Sequence, residues 1–125
     1  MQLILLVGCG GFLGSVARYL LSGWVQRLTE NSFFPYGTMS VNILGCLVIG
    51  VLAGFAESRG VLTPQSRAFL LLGVLGGFTT FSSFSFDTTS LVHSGEMLAA
   101  FANVGVQVIL GLGATWLSYN LVQRI

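Results

Sequence analysis

Residues 68–92 form one long apolar run whose only charge is Asp87, and its middle reads Gly76-Gly77-Phe78-Thr79-Thr80-Phe81-Ser82-Ser83-Phe84-Ser85. A membrane-crossing helix is the natural fold for such a run. Two glycines closely followed by two β-branched threonines lower helix propensity, however, and predict a backbone that breaks or loosens there. Carbonyls freed at membrane depth cannot face lipid, which holds no water to satisfy them. They must turn toward protein, a water-filled cavity or an ion. Beyond the break, Phe81/Phe84 and Ser82/Ser85 repeat at i, i+3, so each pair shares one side of a resumed helix. Irregular backbone followed by paired aromatics and hydroxyls is the pattern of an ion site.

The rest of the chain is built to surround such an element. Of 125 residues, 54% are hydrophobic and 7% are charged, against about 25% charged in soluble domains. This composition predicts an integral membrane protein of the all-α class. At about 20 residues per crossing, four helices take up most of the chain. Residues 1–125 then form one domain with short loops and no soluble appendage. Five arginines, no lysine and a net charge of +1 leave no basic face for nucleic acid. Cys9 and Cys46 both fall in apolar runs and read as buried small hydrophobes, not as a disulfide or metal pair. The first helix has no basic flank and no small-residue cleavage site, so it is expected to be retained.

Helix one is expected over residues 3–24. Gly8, Gly11 and Gly14 recur every three residues, and Gly10-x-x-x-Gly14 lets another helix approach closely. Arg18, toward its far end, can snorkel to the interface or attract anions into a vestibule. A loop over 26–36, with Arg27, Glu30, Asn31 and Pro35, leads to helix two over 37–56. There Thr38 and Asn42 lie one turn apart, and Gly50 and Gly54 offer a second close-packing face. An Asn so deep in a helix must be bonded, either to a neighbouring helix or in a cavity. After a loop over 57–65, Thr63 caps helix three, with Pro64 in its first turn. Helix three continues to residue 92, with Asp87 near the hydrated end and His93 at the last loop. Helix four covers 97–121, with Asn103, Gln107 and Gly111 on one stripe and Trp116 and Tyr119 as interfacial anchors.

No internal repeat is present, although larger transporters build two-sided pathways from inverted repeats. Pairing with an inverted copy gives a chain this small the same symmetry. Arg59, Arg67 and Arg124 lie toward one side, and Arg18 and Arg27 toward the other. That near balance is a weak orientation signal, compatible with insertion both ways up.

Together these features resemble the fluoride channel family known as Fluc or CrcB. The match rests on the glycine-rich first helix with Arg18, on Gly37-Thr38-x-x-x-Asn42, and above all on the specific motif from Gly76 to Ser85. The resemblance implies an antiparallel, dual-topology homodimer in a bacterial plasma membrane, enclosing two fluoride pores. It implies a structural sodium ion, not transported, held at the dimer centre by the backbone carbonyls of Gly76 and Thr79. It also implies that the ring edges of Phe81 and Phe84 line the pores with Thr38 and Asn42, beside a polar track of Ser82, Ser83 and Ser85. Two departures from the family pattern stand out. Ser83 stands where Thr is common, which keeps a hydroxyl. On helix four, Asn103, Gln107 and Gly111 replace the usual Ser, Tyr or His.

These residue types suit a small, strongly hydrated anion. Asn42 carries two N–H donors and each serine an O–H, while aromatic rings have a positive edge. Carbonyl oxygens suit a hard cation instead. The implied activity is passive export of cytoplasmic fluoride, which relieves its toxicity. A proton-coupled four-helix multidrug exporter is the rival reading, but it needs a carboxylate deep in the membrane. Helix one has none, and Asp87 lies near a helix end. A non-transporting scaffold protein would use the glycines and leave the hydroxyl–aromatic motif without purpose. An enzyme is disfavoured because no nucleophile–base pair, metal-ligand cluster or phosphate loop is apparent.

Overall fold

The computed structural model describes residues 1–30 and 32–125; Asn31, expected in the first loop, lies outside them. Regular structure among the described residues is entirely helical. The order is α1 (Gln2–Leu28), α2 (Tyr36–Ser58), α3 (Pro64–Arg67) running into wider π turns (Ala68–Leu75), α4 (Gly76–Phe78), α5 (Phe81–His93) and α6 (Met97–Gln123). Four stretches are long and apolar enough to cross a membrane: Gln2–Leu28, Tyr36–Ser58, Pro64–His93 and Met97–Gln123.

Helix α1 ends later than the sequence suggested, so Gln26 and Arg27 are helical and not in the loop. Gln26 uses this position to hold the connection to α2. Its Nε2 donates to Ser32 O (2.7 Å) and Phe34 O (3.1 Å), and its Oε1 accepts from Gly37 N (3.0 Å). Glu57 and Ser58 are likewise helical, as are Val122 and Gln123 at the end of α6. Thr63 caps α3 as expected: its Oγ1 accepts from Ser66 N, and Pro64 follows at the first helical position.

Two helix pairs make the body. Helix α2 lies along α6, and α1 lies along the π segment and α4. Both seams rest on missing side chains. A Cβ at Gly10 or Gly14 would collide with backbone of the third crossing, at Phe69 O and Val74 O respectively. On the other seam, a Cβ at Gly50 would strike Ser118 and Thr115, and one at Gly54 would press on Val122. The Gly10-x-x-x-Gly14 pattern is therefore used in packing, whereas Gly8 meets nothing within 4 Å. Cys9 is exposed on α1, which corrects its reading as a buried residue: it lies outside the Gly10/Gly14 seam. Cys46 is half-buried, and both thiols are free.

Between α4 and α5 the chain leaves helical geometry for two residues. Thr79 has φ −90° and ψ 157°, and Thr80 has φ −151° and ψ 115°. Upstream of this point the third crossing packs on α1; downstream, α5 leans on α6. The extended pair lets one crossing change partners.

Candidate functional site

Asn42 on α2 replaces the helical partners that the extended residues give up. Its Oδ1 accepts from Thr80 N (2.8 Å), and its Nδ2 donates to Thr80 O (3.1 Å). The side-chain amide thus reproduces a backbone pairing across 38 residues of sequence, as buried peptide groups require. The Thr80 hydroxyl caps α5 by accepting from Ser83 N (3.1 Å), a favourable role for Thr at this position.

The interruption takes the helical donors from the carbonyls of Gly76, Gly77, Phe78 and Thr79, and at the two outer ones the lost donor has a new partner. In an unbroken helix Thr80 N would close on Gly76 O, and Ser83 N would close on Thr79 O. Here the first donor goes to Asn42 and the second to the Thr80 hydroxyl. Gly76 is exposed, and Thr79 is half-buried with its methyl group seated over Gly45.

Asn42 also opens a chain of side-chain amides. Its Nδ2 donates to Gln107 Oε1 (2.8 Å), Gln107 Nε2 donates to Asn103 Oδ1 (2.8 Å), and Asn103 Nδ2 donates to Thr88 Oγ1 (2.9 Å). Thr88 Oγ1 then donates to Phe84 O (2.8 Å). Among the described residues no buried side-chain nitrogen or oxygen lacks a partner. The expectation that Asn42 offers two free N–H groups is corrected here, because both are already engaged. One goes to the Thr80 carbonyl left open by the extended residues and the other to the Gln107 side chain.

The expected site residues divide between two faces of Thr80. On one face a cleft of about 230 Å³ is lined by Asn42, Cys46, Thr80, Phe81, Phe84, Gln107 and Val108. The Phe81 and Phe84 rings lie 5.6 Å apart, tilted by 43°; Phe81 is 80% exposed. On the other face Arg18, Ser22, Thr38, Ser83 and Thr80 border a second cavity of about 230 Å³. Ser22 and Thr38 also border a third, of about 370 Å³, that reaches Gln26, Pro35 and Asp87. Arg18 is thereby placed in a polar recess that continues to Thr80. Thr38 donates its hydroxyl to Asp87 Oδ2 (2.7 Å), which ties α2 to α5.

Some expected residues lie elsewhere. Asn103 is fully buried and meets the cleft only through Gln107, so it is not part of the cleft wall. Ser82 is exposed and Ser85 half-buried, and neither lines these cavities. Helical rotation explains the split: Phe81 and Phe84 share one face of α5, Ser83 lies on another, and Ser82 and Ser85 point between them. Gly111 is buried where a Cβ would press on Cys46, so it serves packing between α2 and α6. Tyr119 donates its hydroxyl to Glu57, another link between those helices. Sequence reasoning did not find Thr88 or the engagement of Gln26. Thr88 carried only a weak signal, an i, i+4 relation to Phe84 inside an apolar helix.

The sequence pattern of the family described as CrcB-like protein, Camphor Resistance (CrcB), matches residues 5–119. The chain belongs to the CrcB family. Relatives within reach of this match are long and well covered. A protein of Nitratidesulfovibrio vulgaris is 49% identical over 117 residues, 94% of this chain and 94% of that one. One of Methylobacillus flagellatus is 44% identical over 123 residues, 98% of this chain and 96% of its own. A third, of Geotalea daltonii, is 44% identical over the full length of both chains. Each relative carries the name Fluoride-specific ion channel FluC. As a CrcB protein with four crossing-length helices, the chain is a multi-pass membrane protein.

Proposed function

We propose that this chain is a fluoride-selective channel that exports cytoplasmic fluoride passively from a bacterial cell through its plasma membrane. The observation that carries the reading is the recess-and-cleft pair that meets at Thr80, with the Arg18 cation on one side and two phenylalanine rings on the other. Support comes from CrcB membership and from relatives named for fluoride-specific conduction.

An anion entering the recess meets Arg18, whose charge raises its local concentration. It passes the hydroxyl groups of Thr38 and Ser83 and reaches the interrupted backbone at Thr80. In the cleft, Phe81 and Phe84 present ring edges, weak donors that gain strength only in confinement. Ser82 and Ser85, which line neither cavity, stand beside this route on α5. No group on this route has to change protonation, so transport needs no proton coupling. The membrane potential, about 2.3 kcal/mol per charge per 100 mV, drives fluoride out of a negative cytoplasm.

A break at membrane depth and an antiparallel homodimer belong to the same reading. Asn42, Thr80 and Gln107 border a cleft whose rim residue Phe81 is largely exposed in the single chain. Polar groups at such an opening cannot be left to lipid, and a second, inverted copy covers them. The freed carbonyls of Gly76 and Thr79 fit a sodium ion in kind, as hard oxygen donors relieved of their helical partners. Two carbonyls per chain are too few, so the copies would share the ion. Bound there, it would add positive potential near both pathways without being transported.

The test is purified protein in fluoride-loaded liposomes, read with a fluoride electrode. The reading expects rapid efflux of fluoride and exclusion of chloride. Drug–proton exchange, or no fluoride flux from correctly folded protein, contradicts it.

A further inference from the structure

The amide chain has a direction fixed at both ends. Thr80 N at one end is a peptide donor, so the Asn42 atom facing it must be oxygen. Phe84 O at the other end is a peptide acceptor, so Thr88 must give its proton there and accept from Asn103. Between those ends the orientations of Gln107 and Asn103 follow without choice. Every donor points the same way along the series Asn42, Gln107, Asn103, Thr88, and such chains polarise their members cooperatively.

A count of cleft donors follows. Asn42 gives one N–H to Thr80 O and the other to Gln107. The Thr80 hydroxyl is shared with Ser82 and Ser83. Gln107 has two N–H groups and gives one to Asn103. Its second is, among the described residues, the only side-chain amide N–H of the cleft lining not engaged within the chain. We infer that Asn103 and Thr88 are positioning residues: from behind, they fix the orientation in which Gln107 offers its remaining amide N–H to the cleft it shares with Phe81 and Phe84. The inference rests on the fluoride-channel reading and deepens it. The fully buried Asn103, though absent from the cleft wall, acquires a part in anion recognition.

Fluoride efflux from liposomes tests this with Thr88→Val, Thr88→Ser and Gln107→Leu. Thr88→Val keeps the shape but removes the acceptor for Asn103. It is expected to raise the fluoride concentration for half-maximal flux about tenfold, of the order set by one hydrogen bond to an anion. Thr88→Ser restores the hydroxyl and should behave as the unmodified chain. Gln107→Leu is expected to lose more than Thr88→Val. If Gln107→Leu does not fold, the Thr88 pair decides alone. Unchanged half-saturation in Thr88→Val, or equal loss in Thr88→Val and Thr88→Ser, overturns the inference. Absence of fluoride flux in the unmodified protein overturns the channel reading itself, a separate result.

Discussion

At Thr80 the peptide N–H and C=O both bond to one side chain, Asn42, and the hydroxyl caps the next helix. Leaving either peptide group unpaired costs about 1–3 kcal/mol. Asn42→Leu is therefore expected to lower the thermal unfolding temperature of the detergent-solubilised protein and to abolish fluoride flux. The rings are a separate matter. Phe81→Ile and Phe84→Ile should each cut efflux from liposomes while leaving gel-filtration behaviour unchanged, since neither ring is fully buried. Unchanged flux in both would remove the aromatics from the mechanism. The pairing of Phe81 with Phe84 was legible because it is local. The bond from Asn42 to Gln107 spans 65 residues, and no local pattern shows which polar side chains will meet across helices.

Among the elements, the third crossing is unusual because its two halves pack on different partners. Its first half lies on α1 through glycine seams, and its second leans on α6. The glycine spacing announced close packing, and Gly10 and Gly14 provide it. Which glycines are used depended on rotation about α1, so Gly8 could not be separated from them by sequence. Gly14→Ala would force a methyl group against the Val74 carbonyl, overpacking of a kind that costs about 1–3 kcal/mol. It should lower the thermal unfolding temperature in detergent, whereas Gly8→Ala should leave it within error. Equal effects would mean that the α1 seam is not the one described. Helix α1 runs past its expected end because residues 25–28 hold no breaker, and the chain turns at Thr29. Gln26, expected in the loop, reveals its role only once the helix carries it to the start of α2.

For the whole molecule, the outward face is the main clue to assembly. Phe12, Leu72, Phe81, Phe86 and Phe101 are each at least two-thirds exposed in the single chain, acceptable against lipid or a second copy. The arginine balance bears on orientation, and a C-terminal tag probed from each side of the membrane should be found on both. A tag confined to one side contradicts dual topology. Four crossing helices were plain from composition, because 54% hydrophobic and 7% charged residues admit little else. The pathway was less visible, since recess and cleft are made by residues from four helices that only the fold brings together. The central claim is that these surfaces pass fluoride down its own gradient. Current across a planar bilayer holding the protein, under a fluoride gradient with equal chloride on both sides, tests it most directly. Reversal at the fluoride equilibrium potential is the expected result, and reversal that follows an imposed proton gradient, or that shifts with chloride, contradicts the account.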